Sequence, residues 1–336
     1  MYKFSYTSVS TNSSLPVIGN GTSGDFNGDK IPDIVFMSNM ASTVNYTASP
    51  VSVYVFDASN NKYTPITLTI DNIPNSLPQV FFGRDFVATD INRDGITDLI
   101  PIDQNEIPAP NRAIAEFAGN PQFAYISNDI GNYSKVSLET GAINPHGFGV
   151  IDSADGVFRL VLNTPWTDYR PTGTATTISS YNTQTGKFDT QFITRQDSYF
   201  TTAPQNGFAG YFYTTTVDVN NDGNTDIIGF STPGGMSNTY LNNGQGKFTF
   251  SKSINTGLAT GIVVEESTVG DFNGDGYQDV AVFAVNRQSS PATESKSIRI
   301  LINDGKGGLT DQTVKWIGNQ FQNANISFGY LDTLDI

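Results

Sequence analysis

The sequence predicts an all-β protein, a β-propeller of four-stranded antiparallel blades, and three observations carry that prediction. An acidic nine-residue pattern occurs four times, starting at Asp25, Asp90, Asp218 and Asp271, and each copy runs straight into an apolar stretch. Asn-Gly and Gly-rich turn signals alternate with these loops. No long apolar stripe of helical period is present, so helix is expected to be scarce. Four strands per unit, repeated at roughly 50 to 70 residues, is the pattern of a propeller blade.

The composition fits this reading. Aromatic residues make up 12% of the chain and charged residues only 15%, as in a folded β-rich protein. A single domain spanning 1–336 is expected. The net charge of −14 argues against a nucleic-acid partner, which requires a basic surface. The four loops hold twelve of the 32 acidic residues, and four divalent ions would bring the charge to −6. With no Cys, neither disulfides nor thiolate metal sites are open to the chain. His146, the only histidine, reads as a packing or surface residue. No apolar run is long enough to span a membrane as a helix. The first residues, Met1–Thr7, lack the apolar core of a signal peptide. Export without a leader, a removed leader and a longer parent chain all stay open.

Taken in order, the units begin at residues 25, 90, 151, 218 and 271. The runs Ile34-Val35-Phe36, Leu99-Ile100, Ile227-Ile228 and Val280-Ala281-Val282-Phe283 after the acidic loops read as buried strands. The third unit is degenerate: Ile151 stands at position 1 and Arg159 at position 9, with Asp155 and Gly156 kept. It reads as a loop that has lost its metal, with Arg159 either supplying charge to Asp155 or lying on the surface as an ordinary Arg. Unit four is the clearest, with strands expected near 211–217, 226–230, 237–241 and 247–253. Turns at Asn242-Asn243-Gly244-Gln245-Gly246, Asn182–Gly186 and Asn303–Gly307, with looser copies at 57–61 and 129–132, read as hairpins, because Asn-Gly and Asp-Gly supply the positive φ of tight connections. Two long connections, 104–122 and 163–177, are candidate binding loops. The chain ends resemble the last and first strands of a blade, so a ring of five or six blades closed by their pairing is expected.

The loop chemistry points to a hard cation. Positions 1, 3, 5 and 9 are Asp25, Asn27, Asp29 and Asp33 in the first copy and Asp90, Asn92, Asp94 and Asp98 in the second. The fourth unit repeats them as Asp218, Asn220, Asp222 and Asp226, and the fifth as Asp271, Asn273, Asp275 and Asp279. Calcium takes several oxygens from a sharply turning backbone. Carboxylates gathered without a cation repel by roughly 4 kcal/mol per pair at ~4 Å and an effective dielectric of about 20. A helix-loop-helix hand is excluded, since its position-12 Glu is replaced by Phe36, Pro101, Gly229 or Val282.

These loops, with turns of the form Leu-x-Asn-x-Gly-x-Gly-x-Phe, make the chain resemble the FG-GAP/VCBS repeat family. That family includes the propeller heads of integrin alpha subunits, propeller lectins and secreted bacterial repeat proteins. The resemblance covers nearly the whole chain and implies a propeller with Ca²⁺ in about four blade loops, acting in extracellular recognition or adhesion. It carries the four ligand sets over position by position, and adds backbone carbonyls at position 7: Ile31, Ile96, Asn224 and Tyr277. Two departures are Lys30 at the position-6 Gly of the first loop, expected to strain it, and fewer blades than the usual seven.

The expected function is non-catalytic: a secreted or surface-exposed, calcium-stabilised propeller that binds a glycan or an extracellular protein. Trp166 with Tyr169 and Arg170, or Trp316, are candidate ligand contacts, since sugars stack on exposed aromatics. Two alternatives stand beside it. One is a polysaccharide lyase or hydrolase, for which Glu265, Glu266, Asp168 and Asp197 show no telling spacing. The other is a structural subunit of a surface assembly, through self-association or attachment to a longer chain.

Overall fold

A computed structural model of the chain describes residues 18–38, 49–73, 78–80, 83–103, 120–143, 145, 147–163, 174–194, 211–231, 237–256, 258, 262–286, 296–319 and 322–324. The fold is all-β, a β-propeller of five four-stranded antiparallel blades. The helix Thr313–Ile317 spans five residues.

Each blade follows one plan. In the first, Ile18–Gly24, Asp33–Ser38, Ser52–Asp57 and Lys62–Ile66 pair in sequence order. The second contains Gly83–Thr89, Asp98–Asp103, Asn120–Asp129 and Asn132–Ile143, with Thr69–Ile70 added in parallel to its last strand. The third is Gly147–Ile151, Arg159–Asn163, Thr174–Asn182 and Lys187–Thr194. The fourth, Tyr211–Val217, Asp226–Ser231, Ser237–Asn242 and Phe248–Ile254, matches the strands expected for unit four to within one residue at each end. In the fifth, Ile262–Gly270, Asp279–Asn286, Lys296–Asn303 and Leu309–Asp311 are joined by Gln322–Ala324 along Lys296–Asn303.

The acidic loops join first to second strands, and the Asn/Gly turns join third to fourth, as the sequence predicts. The second strands are buried because their apolar runs offer both faces to the interior: Leu99, Ile100, Val161, Ile227, Val280 and Val282 are fully covered.

By contacts the chain divides into two compact units, residues 1–144 with 181–189, and 145–180 with 190–336. The first unit centres on Phe26, Val35, Val53, Phe86, Leu99, Tyr125 and Tyr133. Clusters of the second unit include one around Tyr213, Val219, Phe230, Val264, Val282 and Leu301 and another around Ile151, Val161, Ile178, Ile227, Tyr240 and Phe248.

Strand register corrects the reading of the third unit. Ile151 pairs with Arg159 just as Gly24 pairs with Asp33 and Val217 with Asp226. Asp152, not Ile151, is therefore level with position 1, and the third loop is one residue shorter than the others. The first two strands of the first, second, fourth and fifth blades share an irregularity near their outer ends, whereas the third blade pairs there without a shift. The terminal segments expected to close the ring, residues 104–119 and 164–173 of the two long connections, and His146, Trp166, Tyr169 and Arg170 lie outside the described residues, while 120–122, 163 and 174–177 of those connections belong to strands.

Candidate metal centres

Position 1 of each acidic loop organises the turn. Asp25 accepts from the backbone N–H groups of Gly28 (2.7 Å), Asp29 (3.1 Å) and Lys30 (2.7 Å). Asp271 does the same with Gly274, Asp275 and Gly276, and those amides hold its carboxyl below the usual range. Asp90 and Asp218 each take the N–H groups of positions 5 and 6. Position 5 accepts the N–H of position 7 in every copy: Ile31 to Asp29, Ile96 to Asp94, Asn224 to Asp222 and Tyr277 to Asp275.

Such turning requires left-handed backbone at two places. At position 6, Gly95, Gly223 and Gly276 have φ of 84° to 90°, and Lys30 adopts 66° in the first loop. Position 4 has the same demand, met by Gly28, Arg93, Asn221 and Gly274. A Lys in this region is strained where Gly is not, as expected for the first loop.

Position 3 is shared. In all four copies its amide nitrogen donates to the position-5 carboxylate: Asn27 to Asp29 at 3.0 Å, Asn92 to Asp94 at 2.9 Å, Asn220 to Asp222 at 3.0 Å and Asn273 to Asp275 at 2.8 Å. Among the described residues no three acidic or histidine side chains converge closely enough to hold a metal between them. The donor set itself suits calcium, being oxygen throughout and clustered in one exposed turn. Loading it requires the Asn side chain to turn its oxygen, rather than its nitrogen, toward Asp29, Asp94, Asp222 or Asp275. Asn27, Asn92, Asn220 and Asn273, with the Asp residues at positions 1 and 5, would then hold the ion.

Position 9 is enclosed by the blade. Asp33, Asp98, Asp226 and Asp279 are fully buried. Each reaches back to the N–H of position 2 and across to the third strand. Asp33 accepts from Phe26 (2.9 Å) and Phe56 (2.7 Å), and Asp98 from Ile91 (2.7 Å) and Ser127 (2.6 Å). Asp226 accepts from Val219 (3.1 Å) and Asn242 (2.8 Å), and Asp279 from Phe272 (3.0 Å) and Asn303 (2.8 Å). Burial raises the pKa of all four against these donors, to about 6 for Asp98 and about 7 for Asp226. These carboxylates fasten the loop to the blade.

Sequence reasoning assigned Asn242 and Asn303 to hairpin turns alone. The Asn242 oxygen does accept the N–H groups of Gly244 and Gly246 (both 3.1 Å), but its amide nitrogen reaches Ser153 in the third loop (2.8 Å) and the Thr225 carbonyl (3.0 Å). Asn303 donates to the carbonyl of Val219 in the fourth loop (2.9 Å) and to that of Gln278 (3.0 Å). Position 8 adds a second stitch: Thr97 N–H to the Asp25 carbonyl (2.7 Å), and Thr225 N–H to that of Asp152 (2.8 Å). Each Asn in a turn was visible in the sequence, but its partner in the neighbouring loop lies 89 residues away for Asn242 and 84 for Asn303.

In the third loop Arg159 makes a two-pronged ion pair with Asp155, Nη1 to Oδ1 at 2.9 Å and Nη2 to Oδ2, and holds that carboxyl below the usual range. Trp316 lies exposed on the short helix, with the Lys315 ammonium 4.8 Å from its ring centre. Among the described residues no helix is long and apolar enough to cross a membrane.

No curated protein sequence matches the chain. Solved structures that resemble it include the biofilm matrix protein Bap1 of V. cholerae (14% identity, 88% of this chain and 39% of that one, TM-score 0.47). A rhamnogalacturonan lyase of Bacillus licheniformis is similar at 17% identity, 87% and 50% coverage and TM-score 0.47. A GH43_1 enzyme of Xanthomonas citri, complexed with xylotriose, is similar at 13%, 89% and 91%, and 0.43. The chain thus spans half or less of the length of the first two, and likeness at this level says nothing of substrate. Residues 218–282 match the FG-GAP-like repeat. That matched stretch runs from the fourth blade into the fifth, and the chain is folded as a β-propeller of five blades of one plan.

Proposed function

We propose that the chain is a calcium-stabilised, non-catalytic recognition module that works outside the cell and binds a glycan or a protein. The observation that carries this is the fourfold equivalence of the acidic loops: the same oxygen donors, in the same exposed turn, between the same two strands. The carboxylates at positions 1 and 5 of each loop serve no hydrophobic core and remain at the surface, where a hard cation can reach them. Calcium there is structural: it offsets like-charge repulsion and fixes the turn that abuts the next blade. Recognition is assigned to Trp166, Tyr169, Arg170 and the exposed Trp316 as the candidate contacts.

The test is a melting series with calcium and with a chelator, followed by a glycan array in calcium. The expected result is a higher melting temperature in calcium and glycan binding that weakens in Trp166→Ala or Trp316→Ala. A melting curve indifferent to chelator overturns the calcium part. Turnover of a uronate-containing polysaccharide would replace the binding module by an enzyme.

A further inference from the structure

The third loop departs from the other four in a way that is itself built. Register places Arg159 where Asp33, Asp98, Asp226 and Asp279 stand in the other blades. Its guanidinium takes both oxygens of Asp155 and donates to the carbonyls of Val157 and of Gln245, each at 3.3 Å, the latter from the third-to-fourth strand turn of the fourth blade. Two carboxylate and two carbonyl oxygens around one positive centre is the kind of donor set a hard cation gathers.

The surroundings are shaped to the guanidinium. The Arg159 side chain is only 10% exposed. Gly246 lies so close that a Cβ there would sit 2.4 Å from Arg159 Nε, so the neighbouring turn is moulded on this side chain. Position 3 offers no side-chain oxygen, being Ala154, whose backbone N–H donates to Asn224 Oδ1 at 2.9 Å. Further bonds join this loop to the fourth blade: Thr225 N–H to the Asp152 carbonyl, Asp155 N–H to the Gly244 carbonyl and Asn242 to Ser153.

We propose that Arg159 is a resident cation, filling in the third loop the role given to calcium in the other four, so that this loop and its junction with the fourth blade stay closed in the absence of metal. The inference rests on the calcium reading only for the contrast it draws. An arginine suits the task because its planar fork binds a carboxylate in two places and remains charged at any working pH. The consequence is a chain whose middle is metal-independent while its acidic loops respond to calcium.

Hydrogen exchange followed by mass spectrometry on the full chain, with calcium and with chelator, tests this. Peptides covering 152–163 should exchange alike in both conditions, while those covering 25–33, 90–98, 218–226 and 271–279 lose protection in chelator. Arg159→Gln should speed exchange in 152–158 and 243–247 by about tenfold or more, the scale of one lost charge-assisted pair, without rescue by calcium. Arg159→Lys keeps the charge but not the fork, should fall between, and stands in if the Gln variant does not fold. Chelator opening of 152–163 to the extent seen in the acidic loops overturns the proposal, as does calcium rescue of Arg159→Gln or unchanged protection in both variants. If chelator moves no loop, the calcium reading of the other four falls, and the Arg159 variants alone decide the role of the guanidinium.

Discussion

The third and fourth loops join the same two strands of successive blades, yet they balance charge in opposite ways. In the fourth, Asp218, Asn220 and Asp222 lie in the turn, and buried Asp226 closes it by accepting the N–H groups of Val219 and Asn242. In the third, Arg159 holds the register of Asp226 and donates to Asp155 and two carbonyls. The difference teaches that the first residue of the second strand must act as a hydrogen-bonding hub. The sign of its charge is then free to vary, and it decides whether the turn is left with an unbalanced negative charge.

The strongest way to break this comparison is to remove the hub. Asp226→Ala leaves two buried N–H groups without acceptors, at about 1–3 kcal/mol each, so a loss of roughly 2–6 kcal/mol is expected with or without calcium, read by chemical denaturation. Asp275→Ala removes an exposed position-5 carboxylate instead. Its expected cost is up to about 2.7 kcal/mol in calcium at a hundred times the dissociation constant, and under about 1 kcal/mol in chelator. A cost for Asp275→Ala that ignores calcium would erase the distinction between the two kinds of Asp.

Acidity sharpens it further. Burial pushes Asp98 up to about 6 and Asp226 to about 7, from an ordinary value of 3.8. Between those limits the folded, metal-free chain retains protons that the unfolded chain has released. Their stabilising contribution is therefore complete below the unfolded value and is lost as pH rises through 6 and 7. In chelator, Asp226→Asn should flatten the fall of melting temperature between pH 4 and 8; an unaltered slope would show that the buried carboxylate does not titrate there. The smallest effect expected is that of Lys30→Gly. Relief of left-handed backbone at about 1–2 kcal/mol is partly offset by the greater freedom of Gly in the unfolded chain, leaving a gain of up to about 1 kcal/mol.

Much of the frame was readable beforehand. Loop and turn residues are local signals, so the strands of the fourth blade and the hairpin turns at Asn182, Asn242 and Asn303 could be placed from neighbours a few residues away. The third loop was misjudged by one residue because Ile151 was counted into the loop, and only pairing with Arg159 reveals it as the end of a strand. Position 4 went unnoticed because Gly, Arg and Asn share no chemistry there, only a backbone angle.

The residues alone determined the all-β class, the blade plan and the set of oxygen donors, since periodicity, turn chemistry and side-chain type act over short stretches. Tertiary structure decided which Asp faces water and which is enclosed, what Asn242 and Asn303 hold, and that Arg159 meets Asp155 against the fourth blade. Burial and long-range hydrogen bonds arise only when strands far apart in the chain are brought side by side, and no local pattern encodes them.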